Sequence, residues 1–356
     1  MPHVGLGLAA LGRPGYINIG RTEDLGSEDS GARSEDVMRR RAEEVLDAAW
    51  AAGVRWFDAA RSYGLAEDFL GTWLRSRGIK AEDVCVTSKW GYRYTAGWRV
   101  DTGGAPHEVK DHSLAHLEAQ LPESLAACGE FVRTYQIHSA TFDSGVLENV
   151  EVHRALARLR RERGWRVGLS LSGPLQAETL DAALALEEPD EEGQGGQEGC
   201  DFGVNCGELG EVATKQPQTA GPRRRRRLFD SVQATYNVLE QAPHDALSRA
   251  RDAGLDIIIK EAMANGRVLQ CPAVIEAAAV EGVPPDQLAL ACVLAQPFEP
   301  FVLSGAVTTA QLASNLRAEA TAEHLRGDPA RLASIMAAAR QDSSAYWKDR
   351  AALPWI

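Results

Sequence analysis

The sequence has few cysteines, no long apolar run and no excess of positive charge. Its six cysteines are scattered over 356 residues without a Cys-x-x-Cys pair, which argues against a zinc ribbon or a disulfide framework and favours a reducing compartment. No stretch of about 18 apolar residues is present, so no membrane span is expected. The first residues also lack the basic segment and apolar core of a secretion signal. We therefore expect a cytoplasmic protein.

The charge balance argues against nucleic-acid and membrane partners. A formal net charge of -12 repels phosphate backbones and acidic lipid surfaces. The one basic cluster is Arg223 to Arg227, which we interpret as a solvated loop end that offsets acidic residues upstream. With 44% hydrophobic and 25% charged residues, the composition is typical of a chain that buries a large core.

Strand-like and helix-like segments alternate along the chain, the pattern of repeated β-α units. Strands are predicted at 4–8, 54–58, 84–89, 132–138, 166–170, 231–235, 255–260 and 300–304, and helices at 37–53, 66–77, 113–128, 146–162 and 174–186. Eight parallel strands with crossover helices favour a (β/α)8 TIM barrel, an α/β fold. The alternative is a doubly wound sheet, but Ala10 stands where a G-x-G-x-x-G motif starting at Gly5 needs its third glycine.

Residues 187–227 interrupt the alternation. An acidic run, a Gly/Gln-rich stretch and five arginines follow one another there, which is typical of a disordered insertion. The segment falls between helix 5 and strand 6 of the predicted barrel, at the face opposite the carboxyl ends of the strands. We therefore expect one domain over residues 1–356, with an insertion that is dispensable for chemistry.

Three ionisable residues stand at the carboxyl ends of successive predicted strands, and a fourth lies on the loop after one of them. Asp58, Lys89 and His138 end the second, third and fourth strands, and Tyr63 follows Asp58 closely. Barrel strands converge on one mouth, so these four side chains are expected to share a pocket.

Together the four groups can perform carbonyl chemistry. A carbonyl oxygen that becomes negative is stabilised by a proton donor, and a phenol such as Tyr63 can be that donor. The ammonium of Lys89 would lower the pKa of the phenol, and the carboxylate of Asp58 would keep the lysine charged. His138 would donate a hydrogen bond to the substrate oxygen.

The segments around these residues resemble the aldo-keto reductase family. FDAARSYGLAEDFLG at 57–71 is similar to the family signature, and VTSK at 86–89 and YQIH at 135–138 are similar to its next active-site strands. The resemblance implies a catalytic tetrad and an NAD(P)-dependent oxidoreductase, with Tyr63 as general acid/base. The implied reaction transfers a hydride between a nicotinamide cofactor and an aldehyde, ketone or aldose. Two alternatives are a cofactor-sensing regulatory subunit on the same barrel and a metal-dependent barrel hydrolase.

The same resemblance implies a set of cofactor-binding residues. It assigns the nicotinamide end of the cofactor to Ser170, Gln233 and Tyr236. It assigns the pyrophosphate to the loop after strand seven, at Met263 and Gly266. The adenosine end is assigned to the segment that begins where strand eight ends, with Ser304, Gly305, Gln311 and Asn315. Leu171 replaces a family asparagine, and the last segment lacks a cation for a 2′-phosphate. The cofactor is therefore NADP or NAD.

Aromatic residues follow Lys89 directly and predict a wall for the substrate. Trp90 and Trp98 are the candidates for this substrate pocket. His112 and His116 lack the intervening glutamate of an H-E-x-x-H motif, so no metal site is predicted. The expected partner is a small carbonyl or sugar substrate, and no motif indicates an oligomeric state.

Overall fold

A computed structural model describes residues 3–27, 31–189 and 226–356, and within these ranges it contains ten β-strands and thirteen α-helices. The strands are β1 (Val4–Gly7), β2 (Trp56–Asp58), β3 (Cys85–Trp90), β4 (Tyr92–Tyr94), β5 (Glu108–Lys110), β6 (Val132–Ala140), β7 (Arg166–Leu171), β8 (Ser231–Thr235), β9 (Asp256–Lys260) and β10 (Phe301–Ser304). The helices are α1 (Arg21–Leu25), α2 (Glu35–Ala51), α3 (Ala66–Ser76), α4 (Leu114–Cys128), α5 (Val150–Arg163), α6 (Gln176–Leu184), α7 (His244–Asp252), α8 (Pro272–Glu281), α9 (Pro285–Leu294), α10 (Thr309–Leu316), α11 (Ala318–Gly327), α12 (Pro329–Ala339) and α13 (Ser343–Ala351).

Eight of the strands close into a parallel barrel. Around its circumference the order is β1-β10-β9-β8-β7-β6-β3-β2, and β4 pairs with β5 as a separate antiparallel ribbon. Each barrel strand runs in the same direction as its neighbours, so all eight carboxyl ends lie at one mouth. The predicted (β/α)8 TIM barrel is confirmed.

Local sequence explains why these elements form. In β9 the three isoleucines from Ile257 to Ile259 are fully buried, as expected for a parallel strand covered on both faces. Helix α2 ends just before Gly53, whose φ of 88° lies in the left-handed region that favours glycine at a helix end. Thr308 caps α10 by accepting a hydrogen bond from the amide of Gln311.

The ends of the inserted segment are joined to each other. Glu187 and Arg227 form an antiparallel bridge, and the amide of Glu188 donates to the carbonyl of Arg226. The insertion therefore leaves the barrel between α6 and β8. These labels differ from helix 5 and strand 6 of the sequence count because α1, β4 and β5 add elements upstream. Residues 190–225, which include most of the predicted disordered stretch, lie outside the described residues.

Within the described ranges, no helix is both long enough and apolar enough to cross a bilayer.

Candidate active site

The predicted tetrad forms one cluster at the mouth of the barrel. Nζ of Lys89 donates to Oδ1 of Asp58 at 2.5 Å and lies 5.0 Å from the centroid of the Tyr63 ring. The hydroxyl of Tyr63 lies 3.4 Å from Nε2 of His138. The phenol thus has an imidazole at its hydroxyl and an ammonium near its ring.

Asp58 is held from three sides. Besides Lys89, the hydroxyl of Thr87 donates to its Oδ2 at 2.6 Å, and Nε2 of Gln233 donates to the same oxygen at 2.8 Å. The carboxylate is almost fully buried, so these bonds replace water and fix its orientation. Gln233, predicted as a cofactor ligand, therefore also ties β8 to β2.

Burial dominates the proton equilibria of the cluster. It raises the pKa of Tyr63 well above 10, with a further increase from the negative charge of Asp58. It lowers the pKa of Lys89, and Asp58 opposes that decrease as the sequence predicted. The expected decrease in the pKa of Tyr63 is not found, because burial and the carboxylate of Asp58 outweigh nearby cations.

Arg13 is a cation that opposes the increase in the pKa of Tyr63. Its Cζ lies 4.9 Å from the centroid of the Tyr63 ring, and its Nη1 pairs with Glu108 of β5 at 2.9 Å. The guanidinium is buried. It faces the ring, where a positive charge favours the phenolate over the phenol.

His138 is set in an irregular part of β6. The pairing of β6 with β7 shifts register between Ile137 and Ala140, and Ser139 has a φ of 55°, in the left-handed region. Burial lowers the pKa of His138 well below 6.5, and the positive charges of Lys89 and Lys260 lower it further. The imidazole is therefore neutral near pH 7.

Neighbouring side chains hold the imidazole of His138 in place. Oγ of Ser62 lies 3.3 Å from its Nδ1, the ring of Tyr92 meets it edge to face at 4.9 Å, and Nε2 of His112 lies 2.8 Å from its backbone oxygen. His112, rejected as a metal ligand from the sequence, thus contacts the active-site strand.

A cavity of about 340 Å³ extends from the cluster toward α10. Its walls come from the loop after β1, the loop after β9 and the end of β10. Nine predicted site residues line it: Asp58, Tyr63, Gln233, Met263, Gly266, Ser304, Gly305, Gln311 and Asn315. Sequence positions more than 200 residues apart are therefore brought to one surface.

The far part of this cavity is suited to a dinucleotide. A Cβ added to Gly305 would meet no atom within 4 Å, so a ligand can approach the backbone of Gly305 from that side. Gln311 accepts from the amide of Val307 at 3.0 Å and donates to Asp24 at 2.8 Å, while Ser304 donates to Asn315 at 2.7 Å. Uncharged hydrogen-bonding groups beside open backbone fit the sugar and phosphate groups of a nicotinamide nucleotide.

Two predicted cofactor residues, Ser170 and Tyr236, are not among the residues that line the cavity. Oγ of Ser170 accepts from the amide of Ser139 at 2.8 Å and so supports the irregular segment of β6. The hydroxyl of Tyr236 donates to Gln296 at 3.1 Å, and its ring packs edge to face on Phe298. Both side chains thus make hydrogen bonds within the protein at these positions.

The two predicted substrate-pocket tryptophans also do not line the cavity. Trp90 is fully buried and packs against His112. The indole nitrogen of Trp98 donates to the carbonyl of Arg33 at 2.9 Å, and its ring packs against Phe69. These contacts attach the loop after β3 to the barrel. Among the aromatic residues that follow Lys89, Tyr92 contacts the ring of His138.

Six charged residues at the site were missed from the sequence. The cavity is lined by Arg21, Asp24, Lys260, Glu261 and Asp286, and Arg13 lies over Tyr63. Lys260 is the last residue of β9, so the strand-end rule that selected Asp58 was a signal for it. Arg13 and Asp24 carry no such signal, because they belong to the loop after β1 and to α1.

Comparison with known proteins gives a consistent family assignment. The sequence model of the Aldo/keto reductase family matches residues 24–200, a range that contains the whole tetrad. Aldo-keto reductase str7 of Strobilurus tenacellus is 32% identical over 113 residues, which are 32% of this chain and 27% of that protein.

Solved structures share the fold. An aldo-keto reductase from Bacillus halodurans, in its holo form, superposes with a TM-score of 0.59 at 18% identity and covers 96% of this chain and 94% of its own. A Pseudomonas aeruginosa protein described as an aldo-keto reductase superposes with a TM-score of 0.57 at 22% identity, over 90% of each chain. The chain therefore belongs to the aldo/keto reductase family.

Proposed function

We propose that the protein is an NAD(P)-dependent oxidoreductase that acts on an aldehyde, ketone or aldose, with Tyr63 as general acid/base. One observation carries this proposal: Tyr63 lines the cavity and its hydroxyl lies 3.4 Å from Nε2 of His138, with the Lys89–Asp58 pair near its ring. Family membership supports the same chemistry.

In the reductive direction, Tyr63 delivers the proton. A reduced nicotinamide, when bound, would supply a hydride to the carbonyl carbon, and Tyr63 would give its hydroxyl proton to the carbonyl oxygen to complete the alcohol. The neutral imidazole of His138 presents Nε2 next to the phenolic oxygen, so both groups can hydrogen-bond the same substrate oxygen. In the oxidative direction the phenolate of Tyr63 removes the proton.

Lys89 and Asp58 act through Tyr63. The ammonium of Lys89 lies near the face of the phenol ring and favours the phenolate that remains after proton transfer. Asp58 keeps this ammonium charged in a buried position. Removal of either charge would leave the other buried and unpaired, which is strongly unfavourable.

The cofactor would lie along the cavity away from the tetrad. We assign its binding to the predicted residues that line this surface: Gln233, Met263, Gly266, Ser304, Gly305, Gln311 and Asn315. Ser170 and Tyr236 would act indirectly, through the hydrogen bonds that Ser170 makes with Ser139 and Tyr236 makes with Gln296. The cofactor is NADP or NAD.

The test is a turnover screen of the full chain with NADPH and NADH and with an aromatic aldehyde, a ketone and an aldose. We expect the absorbance of the reduced cofactor to fall with at least one substrate. Tyr63→Phe should reduce kcat by at least about 10²-fold and leave cofactor binding intact. Tyr135→Phe, which removes another buried phenol outside the cavity, is the matched control. Tight cofactor binding without turnover of any substrate would contradict the proposal and favour the regulatory alternative.

A further inference from the structure

Lys260 places an ammonium group in the cavity near the tetrad. It is the last residue of β9 and pairs in register with Thr235 of β8. Within the described residues, Nζ makes one hydrogen bond, to Oγ1 of Thr235 at 2.7 Å. A lysine has three N–H donors, so two of them are uncommitted on a side chain that lines the cavity.

The carboxylate next to Lys260 is engaged elsewhere. Oε1 of Glu261 lies 4.0 Å from Nζ of Lys260, whereas Arg350 of α13 binds both oxygens of Glu261 through Nε at 3.0 and 2.8 Å and adds a bond from Nη2. A bidentate arginine satisfies a carboxylate well. Glu261 therefore only partly neutralises Lys260.

The other charged groups near Lys260 are paired as well. Asp58 binds Lys89, and burial, with the charges of Lys89 and Lys260, keeps His138 neutral. Thr235, the register partner of Lys260, lies two residues after Gln233, whose Nε2 binds Asp58. Lys260 therefore lies at the reactive end of the cavity. Among the described residues, Lys260 therefore keeps its positive charge without a dedicated carboxylate partner.

We propose that Lys260 binds the carboxylate of an anionic substrate, so that the preferred substrates are aldehydes or ketones that carry a carboxylate group. This inference rests on the proposed function and narrows its substrate class. A carboxylate offers acceptors for the two uncommitted N–H groups and one negative charge for the ammonium. The carbonyl would then reach Tyr63 from the same cavity.

The test compares 4-carboxybenzaldehyde with its neutral methyl ester, methyl 4-formylbenzoate. For the unaltered protein we expect a higher kcat/KM with the acid. Lys260→Met should lower the ratio of acid to ester kcat/KM by about tenfold or more, because a charge-assisted hydrogen bond is lost. Lys260→Arg should restore part of the ratio. Lys348→Met removes an exposed lysine of α13 and controls for the change in net charge.

Binding without turnover provides the second measurement. Benzoate should bind the unaltered protein more tightly than benzamide, and Lys260→Met should weaken benzoate about tenfold and leave benzamide unchanged. Equal losses for acid and ester, or a weaker affinity for the cofactor with an unchanged ratio, would overturn the assignment. Lys260-dependent binding of benzoate without reduction of any carbonyl would instead retain the carboxylate site and refute the proposed function.

Discussion

The hydroxyl of Tyr63 lies 3.4 Å from Nε2 of His138, and the two rings meet edge to face with centroids 5.3 Å apart. The imidazole is buried beside two lysines, so its pKa lies well below 6.5. The proton transfer that we propose for Tyr63 would therefore occur next to a neutral histidine.

The pH dependence of carbonyl reduction should reflect this neutral histidine. Because the pKa of His138 is lowered, its charged form appears only at acidic pH, and kcat/KM should show no acid limb from His138 between about pH 6 and 8. The measurement is a pH profile of kcat/KM for the unaltered protein and for His138→Gln. An acid limb near pH 6.5 that disappears in the variant would contradict the assigned protonation state.

Arg13 should adjust the pKa of Tyr63 from the face of its ring. The guanidinium favours the phenolate, so its removal should raise this pKa further. In the oxidative direction, Arg13→Met should move the rising limb of the kcat–pH profile, which follows ionisation of Tyr63, to higher pH by about one unit. Arg13→Lys keeps a cation and should show a smaller shift, while Arg326→Met on α11 is a surface control. A fall in kcat without any shift of the limb would indicate only a structural role.

Asp24 should disfavour a 2′-phosphate. Its carboxylate lines the cavity and accepts a hydrogen bond from Gln311, the residue placed by resemblance at the adenosine end. Asp24→Asn removes a like charge and should lower the KM for NADPH by about fivefold, roughly 1 kcal/mol of repulsion. The KM for NADH should change much less. Parallel changes for both cofactors would exclude Asp24 from their discrimination.

The Glu261–Arg350 pair should contribute to stability above acidic pH. Arg350 and Lys260 overcome the effect of burial and lower the pKa of Glu261 from 4.5 to about 2. Because the pKa of Glu261 is lower in the folded than in the unfolded protein, its carboxylate adds to the free energy of unfolding above about pH 4.5. This contribution, up to about 3 kcal/mol, is lost as the pH falls toward 2. Chemical denaturation at pH 7 and pH 3 should show this loss for the unaltered protein.

Variants of the same pair separate its charge from its packing. Arg350→Met leaves Glu261 buried without its arginine and should lower the free energy of unfolding at pH 7 by about 3 kcal/mol. Glu261→Gln should remove the part of the decrease between pH 5 and pH 2 that this residue contributes. The same acid sensitivity in Glu261→Gln and the unaltered protein would assign that sensitivity to other groups.

Periodicity and strand-end position were sufficient to predict much of this protein. The eight barrel strands follow from alternating apolar segments, and the predicted strand 231–235 has the observed bounds of β8. Asp58, Lys89 and His138 could be predicted to lie together because each ends a strand that local sequence predicts, and parallel barrel strands end at one mouth.

Side-chain direction and long-range pairing were decided only by the tertiary structure. Tyr236 and Trp98 have side chains that suit a pocket wall as well as a packed interior; in the structure both hydrogen-bond to neighbouring residues, and neither lines the cavity. Arg13 reaches Tyr63 because the loop after β1 folds over the mouth, and Lys260 keeps free donors because Arg350, 90 residues later, binds Glu261. Local sequence determined which segments form strands and where they end, whereas contacts between distant segments determined which charges remain available to a ligand.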